Sequence, residues 1–254
     1  MDAIDRLDPD KITANLKIKL IGRSVVVFES TSSTNDIAAE YAKNIDNDGL
    51  VIFSENQTSG RGRGDNKWVS GACESLLCSV VLTHSRVEGE LLSLAVAVAA
   101  AETIGTTARI KWPNDILIDN KKIAGILLER KGDSYIVGIG INCHQNSEAF
   151  TAELTGRATS IDIQTRTQCD RPTVARRLIS SLDHWYEIAQ NSAVEVIEHW
   201  KNLSIQLGHR VIMQYDGQKI SGNCIGVDPQ KGLILQLDGG AVRMFKAGHS
   251  SLVS

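Results

Sequence analysis

The sequence predicts an α+β fold: a mixed, largely antiparallel sheet with helices, followed by a small β-barrel. Three observations carry this. Short apolar runs are joined by tight turns at Asp119-Asn120 and Lys131-Gly132-Asp133, the pattern of antiparallel hairpins. Runs with helical spacing lie between these strands. Beyond Leu207-Gly208 the texture changes to short β-rich runs alternating with turns. The 254 residues allow one large domain with a small appendage, drawn here as residues 1–207 and 208–254.

Asp8 and Pro9 form a helix start, as N-cap and first helical residue, and this helix is expected to run to near Gly22. Residues 25–28 read as a buried strand. Ser32, Ser33 or Thr34 caps a second helix, with Ile37, Ala38, Tyr41 and Ile45 on one face. Residues 50–53 are a strand. Residues 55–70 are a polar, glycine-rich loop, longer than an ordinary connection. Residues 76–82 form a strand and 91–103 a helix; 109–112 is a short strand broken by Pro113. Residues 116–118 and 122–128 make a hairpin, and 135–142 returns as a strand. Helices follow near 172–189 and 193–203. The last unit places strands at 210–214, 219–227, 233–237 and 241–245.

Composition excludes several classes. The chain is 42% hydrophobic and 22% charged, normal for a protein with a real core. A net charge of -3 argues against general attraction to nucleic acid. The N-terminal ten residues are polar and acidic and lack a signal-peptide core. No apolar run is long enough to span a bilayer. Five cysteines without CxxC spacing favour free thiols in a reducing cytoplasm. Six histidines show no HExxH spacing, so zinc catalysis has little support.

The most informative stretch is Gly60-Arg61-Gly62-Arg63-Gly64, running on to Trp68. Glycines let backbone wrap closely around a ligand. Arginines offer permanent charge and forked donors for carboxylate and phosphate. The bland readings are a solvated loop or an RNA-binding segment; the latter needs longer repetition and a basic chain. Ordering about ten loop residues costs roughly 1–2 kcal/mol each. A charge-assisted hydrogen bond returns about 1.5–3 kcal/mol. One or two such bonds cannot close the loop, so it is expected to be mobile when empty and to close late, over a completed anionic ligand.

Lys111-Trp112-Pro113-Asn114-Asp115 places polar groups at a strand end behind a rigid proline, ready to face a ligand or metal. Trp112 alone reads as core. Lys122 follows near Gly125, and simple alternation leaves its face open. In Gly138-Ile139-Gly140-Ile141-Asn142, glycines at i and i+2 leave one strand face bare, for close helix packing or for a flat ligand. Neither a dinucleotide fingerprint nor a Walker A motif occurs. Ser33-Thr34-Asn35 reads as helix capping or as ligand hydrogen bonding.

Together these segments resemble the biotin protein ligases. The match is ordered: Ser33-Thr34-Asn35, Gln57, Gly60-Arg61-Gly62-Arg63 with Trp68, the Lys111 to Asp115 segment, Lys122-Ile123-Ala124-Gly125, then Gly138 to Asn142. The resemblance implies a class II synthetase-like biotin–lipoate ligase core and an SH3-like C-terminal barrel. It implies that biotin attacks the α-phosphorus of ATP to give biotinyl-5′-adenylate and pyrophosphate. A lysine of a biotin carboxyl carrier protein then takes the biotin and expels AMP. It assigns Lys122 and Arg63 to catalysis. Biotin would be held by Ser33, Thr34, Asn35, Gln57, Arg61, Gly62, Arg63, Lys122, Gly125, Gly138 and Gly140. ATP would be held by Arg61, Arg63, Lys111, Asn114, Lys122 and Asn142, and Mg²⁺ by Asp115. Monomers and dimers both occur in the family, so a homodimer stays open; no nucleic acid or membrane partner is expected.

Three departures stand out. Gly64-Asp65-Asn66 replaces further glycine and arginine, which lowers the charge of the loop. Ser70-Gly71-Ala72-Cys73-Glu74 lacks the proline and small-residue pattern common after the tryptophan. A first strand near Val25 leaves too little chain before it for an N-terminal winged helix. A lipoate–protein ligase is the nearest other reading, and no RRxxGGGxVxHD-like segment supports it.

Overall fold

The structure, a computed structural model, is described for residues 5–252. Residues 1–4 of the acidic N-terminal stretch and residues 253–254 of the C-terminal unit lie outside the described residues. Seven strands build the large sheet: β1 Val25–Phe28, β2 Val51–Ser54, β3 Ser75–Leu82, β4 Arg109–Lys111, β5 Asp115–Ile118, β6 Lys121–Lys131 and β7 Ser134–Asn142. Their spatial order is β1-β2-β3-β7-β6-β5-β4. β1 and β2 pair in parallel, and the remaining pairs are antiparallel. The sheet is therefore mixed and largely antiparallel, as expected. Asp119 and Asn120 turn the β5–β6 hairpin with φ of 49° and 61°, the left-handed pair that a two-residue hairpin turn requires.

Side-chain alternation gives the two faces different tasks. Leu76, Cys78, Val80 and Leu82 of β3 and Val137, Ile139 and Ile141 of β7 enter the main core. Three helices cover this face: α3 Gly89–Ile104, α5 Arg171–Asn191 and α6 Ala193–Leu203. α3 lies against both other helices and the sheet, so Leu91, Leu92 and every residue from Leu94 to Ala101 are buried. On the opposite face α2, Thr34–Tyr41, packs over β2, β3 and β7 around a small cluster of Ala38, Leu50, Ile52, Val81 and Ile136. Being short, α2 covers only part of that face. The part it leaves holds the candidate site.

The helix predicted from Asp8 toward Gly22 is much shorter. Asp8 caps it by accepting from Asp10 N at 2.9 Å, but α1 spans only Pro9–Thr13. Asn15 then takes a left-handed φ of 60°. The backbone N–H groups of Lys19, Leu20 and Ile21 donate to the Asp183 carboxylate on α5 at 2.6, 2.8 and 2.9 Å. A tertiary carboxylate thus replaces helical carbonyls as acceptor. β1 is half-buried rather than buried, because it is the sheet edge. Ile45 is 60% exposed in a 3-10 turn beyond α2, off the face predicted for it. The short helix α4, Ile161–Thr165, carried no clear sequence signal.

The C-terminal strands β8 Arg210–Tyr215, β9 Gln218–Asp228, β10 Gly232–Leu237, β11 Val242–Phe245 and β12 Ser250–Leu252 form an antiparallel sheet in the order β11-β10-β9-β8-β12. β12 was not anticipated. Met213, Cys224, Leu233, Leu235 and Phe245 are buried in continuity with the main core. Among the described residues, no helix is long and apolar enough to cross a membrane.

Removing the Asp183 carboxylate deprives three backbone donors of their acceptor. Asp183→Ala is expected to lower unfolding free energy by about 3 kcal/mol, read from urea melts. An unchanged midpoint would show that residues 19–21 do not depend on it.

Candidate active site

The loop after β2 folds as a tongue over the open sheet face. Trp68 N donates to Gly60 O at 3.0 Å, and Gly62 N donates to Asn66 O at 2.8 Å. Asn66 donates to Arg63 O through N at 3.2 Å and through Nδ2 at 2.9 Å. Arg61 and Lys67 bridge antiparallel. The loop expected to be loose therefore has its own backbone framework. Asn66, part of the departure from the family pattern, is central to it.

Beneath the tongue, Gly125 of β6 pairs in register with Gly140 of β7. A Cβ on Gly140 would lie 2.5 Å from the Trp68 ring, and one on Gly125 would lie 3.0 Å from it. The indole thus rests on the two bare positions. Its Nε1 is buried and has no hydrogen-bond acceptor. Gly138 faces Asn35 of α2 instead, and any Cβ there would collide with the Asn35 amide. Gly138 thus meets the helix-packing reading, while Gly140 is covered by the indole of Trp68.

Four of the residues assigned to biotin, Thr34, Asn35, Gln57 and Arg61, belong to one polar chain. Thr34 donates to Gln57 Oε1 through N at 2.7 Å and through Oγ1 at 3.0 Å. Ser79 Oγ lies 2.7 Å from Thr34 Oγ1 and 2.5 Å from Asn35 Oδ1; its single proton serves one of them at a time. Asn35 Nδ2 donates to Glu129 at 2.6 Å. Arg61 closes the chain with ion pairs to Glu129 at 2.8 Å and Asp36 at 2.7 Å. Ser33 is the N-cap residue of α2, yet its side chain makes no capping bond. Ser79, Glu129 and Asp36 were missed by the sequence reading. A polar residue at an inward position of β3 or β6 was the available signal.

Lys122 reaches the cleft because of a β-bulge. The β5–β6 register pairs Ile116 with Ala124 but Leu117 with Lys122, leaving Ile123 as the extra residue. Ile123 and Ala124 both turn into the core, and Lys122 falls on the same side as Gly125. Its Nζ lies 2.6 Å from Asp115 Oδ1 and 5.8 Å from the Trp68 ring centroid. The Lys122–Asp115 contact is an ion pair without hydrogen-bond alignment, since Asp115 Oδ1 is buried and receives no directed hydrogen bond.

Arg63 is tied to the C-terminal sheet. Its Nη2 donates to Ala247 O at 2.5 Å and to Ser250 O at 2.6 Å, and Nη1 makes a long contact of 3.4 Å to Asn114 Oδ1. Burial lowers the Arg63 pKa, while Asp115 and Glu90 act to raise it; a guanidinium remains charged under such a shift. Asn114 is locked to β6, donating from Nδ2 to Ile126 O at 3.1 Å and accepting from Ile126 N at 2.9 Å.

Every residue assigned to biotin, ATP or metal lines one cleft of about 690 Å³, with the exception of Asn142. The Asn142 amide instead donates to Thr159 O at 2.9 Å and accepts from Gln145 at 3.4 Å. Gln214, Asp216, Gly248, Ser250 and Leu252 complete the wall from the C-terminal sheet, a contribution the sequence did not suggest.

Comparison with known proteins agrees with this geometry. The Biotin/lipoate A/B protein ligase family matches residues 27–146. The biotin–acetyl-CoA-carboxylase ligase of Mycobacterium tuberculosis is 31% identical, over 94% of this chain and 94% of that protein. The bifunctional ligase/repressor BirA of Bacillus subtilis is 29% identical, over 95% of this chain and 78% of the relative. Among solved structures, the biotin protein ligase of Aquifex aeolicus in complex with biotin and ATP superposes with a TM-score of 0.81 at 26% identity, covering 91% of this chain and 99% of that one. Identity at this level along nearly the full length of both proteins, on the same fold, shows that the chain belongs to the biotin protein ligase family.

Proposed function

We propose that this protein is an ATP-dependent ligase. It activates biotin as biotinyl-5′-adenylate and transfers it to a lysine of a biotin carboxyl carrier protein. The observation that carries this reading is the convergence of Arg61, Arg63, Lys111 and Lys122 on one cleft, floored by Gly125 and Gly140, in a chain of this family. Residues 1–207 form the catalytic unit in this reading and 208–254 the appended one. Five free cysteines support a cytoplasmic location.

In the first step a carboxylate oxygen of biotin bonds to the α-phosphorus of ATP, and the bond to pyrophosphate breaks. Both reactants are anions. Two unit charges about 4 Å apart repel by roughly 4 kcal/mol at an effective dielectric near 20. Lys122 and the tongue arginines oppose that repulsion at the forming mixed anhydride. Before substrate arrives these cations have partners: Asp115 for Lys122, and Asp36 with Glu129 for Arg61. The positive groups are thereby held in place without lone charges in a half-buried site. In the second step the neutral amine of the carrier lysine attacks the acyl carbon, and AMP leaves with the bridging oxygen.

Ser33, Thr34, Asn35 and Gln57 hold the ring system of the vitamin, and Gly125, Gly138 and Gly140 form its floor. Arg61, Arg63, Lys111, Asn114 and Lys122 hold ATP. Asn142 supports the wall behind the cleft. Asp115, whose Oδ1 lies beside Lys122 Nζ without a directed hydrogen bond, would hold Mg²⁺. Bound there, the ion neutralises polyphosphate charge.

Incubation with biotin, labelled ATP and a carrier domain tests the reading. The carrier is expected to gain the mass of one biotinyl group and the label to appear in AMP. Unmodified carrier, or preference for lipoate in direct competition, would overturn it. Lys122→Ala is expected to slow adenylate formation about 10²–10³-fold with an unchanged circular dichroism spectrum; wild-type rates would remove Lys122 from catalysis. Arg63→Gly is expected to release the adenylate, so that bystander lysines become labelled. If the release rate does not change, Arg63 is no lid.

A further inference from the structure

Where β7 ends, three segments bring together side chains that the ligase reaction does not use. His144 follows the strand, Asp162 lies in α4, and Cys169 stands two residues before α5. Ligand atoms of these three residues all lie within 4.8 Å of one another. His144 Nδ1 is 2.7 Å from Asp162 Oδ2 and 4.0 Å from Cys169 Sγ. None of the three lines the cleft. Imidazole, thiolate and carboxylate are the donor set of zinc-type sites. Their ligand atoms sit about 2.0–2.3 Å from the ion and so roughly 3.4–3.7 Å from one another in a tetrahedron. The present contacts of 2.7 and 4.0 Å from His144 Nδ1 lie on either side of that separation.

The surroundings are built as an outer shell. His144 Nε2 lies 3.0 Å from Asp5 Oδ2. Asp5 is itself held by Arg171, whose N donates to Oδ1 at 2.9 Å and whose Nε donates to Oδ2 at 2.6 Å. Cys169 N donates to Asp162 Oδ1 at 2.7 Å, which leaves Oδ2 for the imidazole. A carboxylate on the far nitrogen is the usual means of orienting a metal-ligating histidine. With Nε2 engaged by Asp5, Nδ1 is the ring nitrogen that a cation would take, in exchange for the proton now shared with Asp162 Oδ2. In the metal-free protein a proton occupies the 2.7 Å contact between Nδ1 and Asp162 Oδ2, and binding of a cation would release it.

We infer that His144 Nδ1, Asp162 Oδ2 and Cys169 Sγ bind a thiophilic divalent cation of the zinc class, with Asp5 orienting the imidazole and solvent in the fourth position. The ion clamps the end of β7, the strand that carries Gly140, to the start of α5. The competing account places a second proton on the ring. In the metal-free protein the hydrogen bond to Asp5, followed by those to Cys169 and Asp162, pushes the His144 pKa up to about 11. A clamped imidazolium would then do the same work without metal. The inference is independent of the ligase reading.

Cobalt titration separates the two. Chelator-stripped protein, kept under a non-thiol reductant, is titrated with Co²⁺. A single equivalent is expected to bind with a thiolate-to-cobalt charge-transfer band in the near ultraviolet, erased by Zn²⁺. Cys169→Ser is expected to abolish the band, and His144→Gln to weaken Co²⁺ binding about tenfold or more. In the wild type, Zn²⁺ is expected to slow alkylation of Cys169 by about tenfold or more, read from peptide masses. This last measurement needs no variant to fold. Absence of a thiolate band in the stripped wild type, its survival in Cys169→Ser, or alkylation unaffected by Zn²⁺ would overturn the site.

Discussion

The strict two-residue alternation of β6 and β7 is the constraint from which the cleft derives its geometry. One face of these strands is packed under α3 and its neighbours, and the other carries Gly125, Glu129, Gly138 and Gly140. Burying each large aliphatic side chain of the packed face contributes about 1.5–3 kcal/mol. A slip of one residue would carry that whole set to the wrong side. The core therefore locks the register, and the register places Gly125 opposite Gly140. No contact within the cleft has to do this. The bulge at Ile123 is the one interruption, and it is what delivers an ammonium group to a face that would otherwise present a core residue.

Charge in the cleft follows a second rule: three of its strong cations are held by protein acceptors. Arg61 bridges Asp36 and Glu129, Lys122 meets Asp115, and Arg63 sits on two carbonyls. Such pairs add little to stability. They set position, since a long side chain held at one end of its range has already lost rotamer freedom before substrate arrives. The polar chain from Gln57 to Arg61 links the proposed vitamin contacts to one of these cations. The two parts of the cleft therefore share a hydrogen-bonded framework.

Much of this was legible in the sequence. Hairpin turns and apolar runs gave six of the seven strands of the large sheet within a residue of those found, with β6 running three residues further than expected, and the alanine-rich run gave α3. The ordered motifs gave the assigned cleft-lining residues other than Asn142, but not Asn66, Leu77, Cys78 and Leu127, nor the far wall. What was not legible has physical causes. The face of Lys122 depends on a bulge that alternation cannot show. The stretch after α1 is shaped by Asp183, 162 or more residues away, and no local pattern announces so distant an acceptor. Ser79 and Glu129 look like ordinary strand residues until β3, β6 and α2 meet. Asn142 sits at a strand end suited to ligand contact, yet the segment at Thr159 captures its amide. The C-terminal wall depends on tertiary docking of one sheet against another element.

That docking gives Arg63 a role at both ends of its guanidinium. The group has five N–H donors. Nη2 directs its two to Ala247 and Ser250 and Nη1 directs one to Asn114, so two remain for the cleft that Arg63 lines. Ala247 N in turn donates to Glu90 in the first turn of α3 at 3.1 Å. The turn at Ala247–His249 is thus gripped from the main domain by Glu90 and from the tongue by Arg63. A tongue that lifts must break charge-assisted bonds to the C-terminal sheet, each worth about 1.5–3 kcal/mol. A sheet that shifts carries the guanidinium with it. The small C-terminal unit is accordingly part of the tongue's closed state, and changes at Ala247 to Ser250 act on the cleft through Arg63.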